Sequence, residues 1–505
     1  MDRFLRQPLM VVLLSFGALA MTVPMLHAVV TGEYRIAGAF LYAALLVLVV
    51  TAMIALALAN FRPRNIARSH LLQLTAAFAV LPLVLAIPMT EAVPGLGYLD
   101  AWFEMVSSFT TTGATVFLNP GEVPDTVHLW RALVGWIGGY FVLLAALSIL
   151  APMQLGGFEV TASDAALRNP QPSRQIMRIA DPSERMQRFA GQLLPVYGGL
   201  TLLLWLGLIL SGDPALVGLC HAMSTLSTSG ISPVGGVGAA PSGRLGEAMV
   251  LGFLLFALSR HLLPGMSGRT GWRDLTRDPE VRLGIGLVLA VCAGLLVLHG
   301  MQTLGQGNPP GTVGTAQALW GGLFTTFSFL TTTGFVSADW HGTTTWAGLR
   351  VPGMLLVGLA LTGGGIATTA GGVKLLRLYA LARHGARELD RMLHPSAIAG
   401  SGPVARNLRQ HGAHAAWVFL MLFFLSIIVV MLALALAGTD FDDALVLAVA
   451  SLSTTGPLAG IGGATPIRYA DLNDAAKAIL AGAMVLGRLE TLALIALFTP
   501  DGWQV

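Results

Sequence analysis

The segment Thr110-Thr111-Thr112-Gly113 returns three more times along the chain, as Ser227-Thr228-Ser229-Gly230, Thr331-Thr332-Thr333-Gly334 and Ser453-Thr454-Thr455-Gly456. The four glycines are 117, 104 and 122 residues apart. A period held over almost the whole length is an internal fourfold repeat, so any fold must accommodate four equivalent units. Each copy follows a short apolar run and precedes a long one. A Gly directly after a helix is a common stop. That reading accounts for one copy but poorly for four, each preceded by three hydroxyl side chains.

The 505 residues are 54% hydrophobic and only 11% charged, whereas soluble domains carry about 25% charged residues. The composition is that of an integral membrane protein. A net charge of +3 is too small to suggest nucleic acid. The longest polar stretch, 156–188, is too short for a soluble domain. The segment 8–30 is long for the apolar part of a secretion signal and has no clear small-x-small cleavage site, so it reads as a helix. Cys220 and Cys292 lie in apolar surroundings and read as core residues rather than as a disulfide or metal site.

Ten segments are long enough to span, near 8–30, 38–60, 70–90, 130–152, 190–211, 245–264, 283–303, 346–382, 413–437 and 474–498. Four shorter apolar segments, near 98–110, 215–227, 317–330 and 442–453, each run into one Thr/Ser-Gly loop and read as re-entrant half-helices. Most Lys and Arg fall in 61–70, 153–189, 260–282 and 374–412, which places those loops and both termini in the cytoplasm. The expected fold is therefore an all-α membrane protein of four pseudo-symmetric helix, half-helix, loop, helix repeats around a central pore. Residues 67–155, 186–265, 280–383 and 410–499 form the repeats, and 1–66 supply two leading transmembrane helices.

A dehydrated monovalent cation needs oxygen ligands in place of its water. Extended backbone turned inward can offer carbonyls, and Gly tolerates the dihedrals this requires. The Thr and Ser hydroxyls can ligate an ion or hold neighbouring backbone. Each half-helix also points the negative end of its dipole at the loop. No ring of carboxylates lies in the loops, which argues against divalent selection. The third repeat carries a second signal: the span expected from Trp346 to Leu381 is interrupted by Gly363-Gly364-Gly365-Ile366-Ala367-Thr368-Thr369-Ala370-Gly371-Gly372. Five glycines in ten residues disfavour a helix, each by about 1 kcal/mol against Ala. The run reads as an intramembrane loop plugging the pore from the cytoplasmic side, with close helix packing as the alternative. Arg488 lies mid-span, where a charge needs a watery cavity or a partner. The carbonyls of 363–372 are the better candidates, and an ion pair with another helix is the alternative. Lys374 and Arg377 read as cytoplasmic anchors, Glu104 as a hydrogen-bond acceptor for filter backbone, and His221 as a structural hydrogen-bonding residue. With no HExxH, no GxSxG and no paired intramembrane Asp, a membrane-embedded enzyme is disfavoured.

Several motifs together resemble the Trk/Ktr/HKT superfamily of potassium transporters, closest to the Trk-type membrane subunit. They are Phe103-Glu104-x-x-Ser107-x-x-Thr110-Thr111-Thr112-Gly113-Ala114, Trp136-Ile137-Gly138-Gly139, Cys220-His221-Ala222-x-Ser224-Thr225, Thr331-Thr332-Thr333-Gly334-Phe335 with Ala338-Asp339, and Leu486-Gly487-Arg488-Leu489-Glu490. The two leading helices also match. The resemblance implies K+ as the transported ion, without an organic cofactor. It implies a selectivity filter from Thr111, Thr112, Gly113 and Ala114; Thr228, Ser229, Gly230 and Ile231; Thr332, Thr333, Gly334 and Phe335; and Thr454, Thr455, Gly456 and Pro457. It implies a gate at Gly363, Gly364, Gly365, Gly371 and Gly372, with Arg488 beside it. It further implies a homodimer, a cytosolic nucleotide-binding regulatory subunit and a place in the bacterial inner membrane. Ile231, where an aromatic is frequent, and Pro457 after the fourth Gly depart from the pattern and leave a Na+ or mixed K+/Na+ permease as the alternative.

Overall fold

The computed structural model describes residues 9–58, 66–151, 182–259, 278–306, 312–394 and 413–489. Among them only helices, turns and loops occur. Seven helices are long and apolar enough to cross a membrane: Leu9–Val30, Tyr34–Ala57, Leu72–Ala92, Asp125–Leu150, Arg185–Leu210, Pro279–Met301 and Ala413–Leu436. They coincide with seven of the expected spans. Two more begin as expected, Gly243–Leu254 and Asp474–Leu489, and the later parts of those expected spans lie outside the described residues. So do most of the loops rich in Lys and Arg.

The eighth expected span, 346–382, differs from the expectation. Trp346 belongs to a separate helix, Trp340–Ala347, which meets Pro352–Thr362 at 115°. The break has local causes. Gly348 takes φ +62 at the end of the first helix, and Pro352 cannot donate the amide that a continuing helix would need. The inner helix of the third repeat therefore starts at Pro352, stops at Thr362 and resumes only at Leu375–Leu393.

Four half-helices, Tyr98–Phe109, Ala215–Ser227, Thr312–Leu330 and Phe441–Leu452, end at the four repeated motifs. The third is longer than its apolar run suggested. Acidic residues at the start of the first and fourth (Asp100; Asp442 and Asp443) complement the positive end of the helix dipole. The half-helices are enclosed: every residue from Phe103 to Phe109 and from Val446 to Leu452 is buried. The spanning helices instead expose apolar side chains such as Leu203, Leu206, Ile428 and Leu432 on their outward faces, as lipid contact requires.

The two leading helices pack against the first repeat. Phe40 meets Trp130 edge-on at 5.6 Å, and within the first repeat Phe78 packs at a tilt against both Phe109 and Phe141. A larger apolar cluster runs through all four repeats, from Phe103 and Tyr197 to Phe324, Leu356 and Met484. Cys220 and Cys292 are both buried.

Glycine sets how closely inner helices cross half-helices. In the first repeat a Cβ on Gly138 would overlap the carbonyl oxygen of Phe109, the last residue of its half-helix. In the fourth, a Cβ on Gly487 would overlap the carbonyl oxygen of Leu452, again the last residue. Gly138→Ala should therefore cost about 1–3 kcal/mol through overpacking and lower the melting temperature in detergent. Gly198→Ala, which faces open space on another helix, should leave it unchanged. Equal melting temperatures for the two variants would overturn this account.

Candidate functional site

Each of the four loops begins with the same backbone event. The second residue of every motif is left-handed: Thr111 at φ 56, Thr228 at 53, Thr332 at 57 and Thr454 at 54. A β-branched residue in that region is a genuine outlier and persists only where its surroundings impose it. Here the next amide supplies part of the compensation. Thr112 N donates to Ser107 O (2.8 Å), Ser229 N to Ser224 O (2.9 Å), Thr333 N to Ser328 O (2.9 Å) and Thr455 N to Ala450 O (2.7 Å). The hydroxyls of the first and third motif residues pair in every loop: Thr110 with Thr112, Ser227 with Ser229, Thr331 with Thr333 and Ser453 with Thr455. Those hydroxyls tie the turn together. The hydroxyls of Thr111 and Thr454 have no hydrogen-bond partner among the described residues.

The loops close into a ring. Gly113 lies against Ser229 O, Gly230 against Thr333 O, Gly334 against the ring of Pro457, and Gly456 against the backbone of Gly113 and Ala114. Thus loop one meets loop two, two meets three, three meets four, and four returns to one. Ala114, Ile231 and Phe335 are buried just beyond the first three glycines. The positive φ expected of Gly holds at Gly113, Gly230 and Gly334. Gly456 differs. It opens a short turn, Gly456–Leu458, and donates its amide to Thr112 O at 2.6 Å.

Side chains behind the ring hold the descending strand of each loop. Glu104 accepts from Val116 N at 2.6 Å and Thr115 Oγ1 at 2.7 Å, and its other oxygen pairs with Arg131 at 2.8 Å. Arg131 in turn lies over the Phe117 ring. Ser107 Oγ donates to Ala114 O. In the second loop His221 contacts Ser232 Oγ at 2.8 Å, and Ser232 accepts the amides of Val234 and Gly236. In the third, Glu247 takes Ser337 Oγ, the Ala338 amide and Trp320 Nε1, while Asp339 forms a two-pronged ion pair with Arg244. In the fourth, Tyr469 donates to Gly456 O. Glu247, Arg131 and Tyr469 carry no local signal in the sequence.

The glycine-rich segment 363–374 is a buried loop that reaches up to this ring. Its flanks are anchored: Gly365 N donates to Ala257 O, Ile366 N to Glu280 Oε1 (2.7 Å) and Leu375 N to Gly364 O. A Cβ at Gly365 would overlap the Leu258 carbonyl oxygen, and one at Gly371 the Ser453 carbonyl oxygen. Gly363 and Gly372, both at positive φ, close the loop's base on each other. At its tip Gly371 N donates to Thr332 Oγ1 at 2.7 Å, and Thr369 Oγ1 donates to Leu226 O. Arg488 bridges the loop to the ring, with Nε on Thr110 O (2.8 Å) and Nη1 on Thr369 O (2.6 Å). The loop thus touches the second, third and fourth repeats, and Ile366 and Ala367 pack with Ala146 of the first. Lys374 and Arg377 are not surface anchors. Both are buried, Lys374 Nζ donates to Ala370 O, and Arg377 stacks on Phe419. Their closeness to a helix end suggested solvent, but the loop folds the chain back into the protein.

A family described as "Cation transport protein", TrkH, matches residues 288–503. The Trk system potassium uptake protein TrkH of Salmonella typhimurium is 31% identical over 427 residues, covering 81% of this chain and 80% of that protein. TrkI of Halomonas elongata, with the same description, is 30% identical, covering 85% and 81%. The crystal structure of the potassium transporter TrkH from Vibrio parahaemolyticus superposes with a TM-score of 0.79 at 27% identity, covering 99% of both chains.

The Glu104–Arg131 pair yields a test. Both side chains are buried, so Arg131→Met leaves a buried carboxylate unpaired at a cost of about 3–5 kcal/mol. Folded yield in detergent should fall sharply for Arg131→Met and recover in part when Glu104→Gln is added. Equal yields for the single and double variants would rule out the pair as the prop of the first loop.

Proposed function

The chain belongs to the Trk family of cation transport proteins, and from that premise we propose that it takes up potassium through a gated, channel-like pore. Membership makes it a transporter and not an enzyme. The single observation that carries the proposal is the closed ring of four loops with one backbone conformation at the second motif residue. Such a ring directs carbonyls from four half-helix ends at one axis, which suits a cation shed of its water. In this reading Thr111 to Ala114, Thr228 to Ile231, Thr332 to Phe335 and Thr454 to Pro457 line the filter. Repeats 67–155, 186–265, 280–383 and 410–499 each deliver one loop. The loop 363–372 is the gate, pinned by Arg488. The protein lies in the bacterial inner membrane with both termini cytoplasmic. A second copy and a cytosolic nucleotide-binding subunit, docked on the basic inner loops, are its partners. The different conformation at Gly456 favours one second reading, a mixed K+/Na+ permease. Uptake of labelled K+ into K+-starved cells, competed with Na+, separates the two. Uptake of neither ion would refute both.

Gly113→Ser should raise Na+ permeation relative to K+, because a side chain at φ +74 pressed on Ser229 O must displace the ring before it disturbs the fold. The ratio of Na+ to K+ flux in proteoliposomes measures this. An unchanged ratio in a well-folded variant would count against the ring.

Arg488→Ala should release the gate from the ring and raise flux, as should removal of part of 363–372. The combination should be little faster than either alone, since residues in one network do not add. Flux read beside folded yield decides. Poor yield without flux would mean that Arg488 is only structural.

A further inference from the structure

The fourth loop departs from the other three in one coherent way. Gly113, Gly230 and Gly334 are left-handed at φ +74, +67 and +81, and Gly456 is not. Pro457 supplies the cause, because a residue before proline is restricted in backbone and proline fixes its own φ. Both polar groups of Gly456 are then engaged: its amide donates to Thr112 O, and its carbonyl accepts from Tyr469 Oη at 3.0 Å. Tyr469 is buried and its ring packs on Phe103 at 5.6 Å.

The pyrrolidine ring has an unexpected reach. Its Cγ lies 2.9 Å from where a Cβ would stand on Gly334, and equally 2.9 Å from where one would stand on Gly230. Gly334 belongs to the neighbouring third loop. Gly230 belongs to the second loop, which the order of contacts places opposite the fourth. Pro457 therefore puts its ring methylenes beside the glycines of two other loops.

We propose that Pro457 is a specificity-determining residue that walls one side of the outer cation site, with Tyr469 as the positioning residue that holds the Gly456 carbonyl out of it. This rests on the reading of the ring as a cation filter. The site at the glycine level is then three-sided, built from the carbonyls of loops one to three. A site with one oxygen ligand fewer replaces hydration less completely. It discriminates less between K+ and Na+ and releases its ion more readily.

The test uses the full-length protein in proteoliposomes, with K+ and Na+ fluxes measured over a range of external concentrations. Pro457→Gly removes the wall and lets the fourth backbone follow the other three. The K+ to Na+ ratio should rise about tenfold, roughly what one charge-assisted oxygen contact is worth, and the half-saturating K+ concentration should fall. Tyr469→Phe keeps the ring packing on Phe103 but frees the Gly456 carbonyl. It should move the ratio in the same direction by a smaller factor, which loss of a merely structural hydroxyl would not do. An unchanged ratio and half-saturation in folded Pro457→Gly overturns the inference. If that variant does not fold, an unchanged ratio in Tyr469→Phe overturns it. Absence of K+ flux in the parent protein would instead overturn the reading on which the inference rests.

Discussion

Everything at the centre of this protein depends on four amides donated backwards, from Thr112, Ser229, Thr333 and Thr455 to carbonyls in the half-helices they follow. A helix that stops at membrane depth leaves carbonyls and amides that no water can satisfy. The usual remedy is a glycine in the left-handed region. This chain instead uses a threonine there, four times, and moves the glycine two residues on. The backward amide and the paired hydroxyls around it pin the turn. The triple hydroxyl is thus a device for ending a buried helix, and it fixes the backbone from which the ring of loops is built.

A second dependence joins the ring to the loop beneath it. One guanidinium holds Thr110 O at the root of the first loop and Thr369 O at the tip of the glycine-rich segment. Its remaining nitrogen, Nη2, has no partner among the described residues. An arginine is suited to this because its donors are fixed in a planar fork. The glycine content of 363–372 has a matching physical reason. The segment is threaded between the Leu258 and Ser453 carbonyls at distances that exclude a β-carbon, so packing as well as flexibility selects glycine. The segment is a loop rather than a helix, and its glycines are also what close packing requires.

Much of the architecture was legible because its signals are local. The half-helix ends fall at Phe109, Ser227, Leu330 and Leu452, within a residue of where the apolar runs meet the repeated motif. The partner of Arg488 could be reasoned from the cost of a charge at depth. What escaped notice is non-local. Glu247, on the second repeat, supports the loop of the third through Ser337 and Ala338, and no periodicity announces a bond between repeats. Tyr469 reaches Gly456 thirteen residues back in its own repeat, a separation that no local pattern marks either. Lys374 and Arg377 were misplaced because charge near a helix end usually means solvent, and only the return path of the loop shows otherwise. The left-handed threonine was missed because residue statistics assign that conformation to glycine.

The reach of Pro457 over both Gly334 and Gly230 has a consequence for how such a ring of loops can diverge. A ring assembled from four identical subunits carries every substitution four times. Four pyrrolidine rings extended to one axis would collide with each other, so a symmetric assembly has no access to this arrangement. A single chain with four unequal copies can place one ring there and leave the other three positions as Ala114, Ile231 and Phe335. Gene duplication followed by fusion thereby frees each quarter of the ring to change alone. The chemistry of such an opening becomes adjustable in steps of one side rather than four.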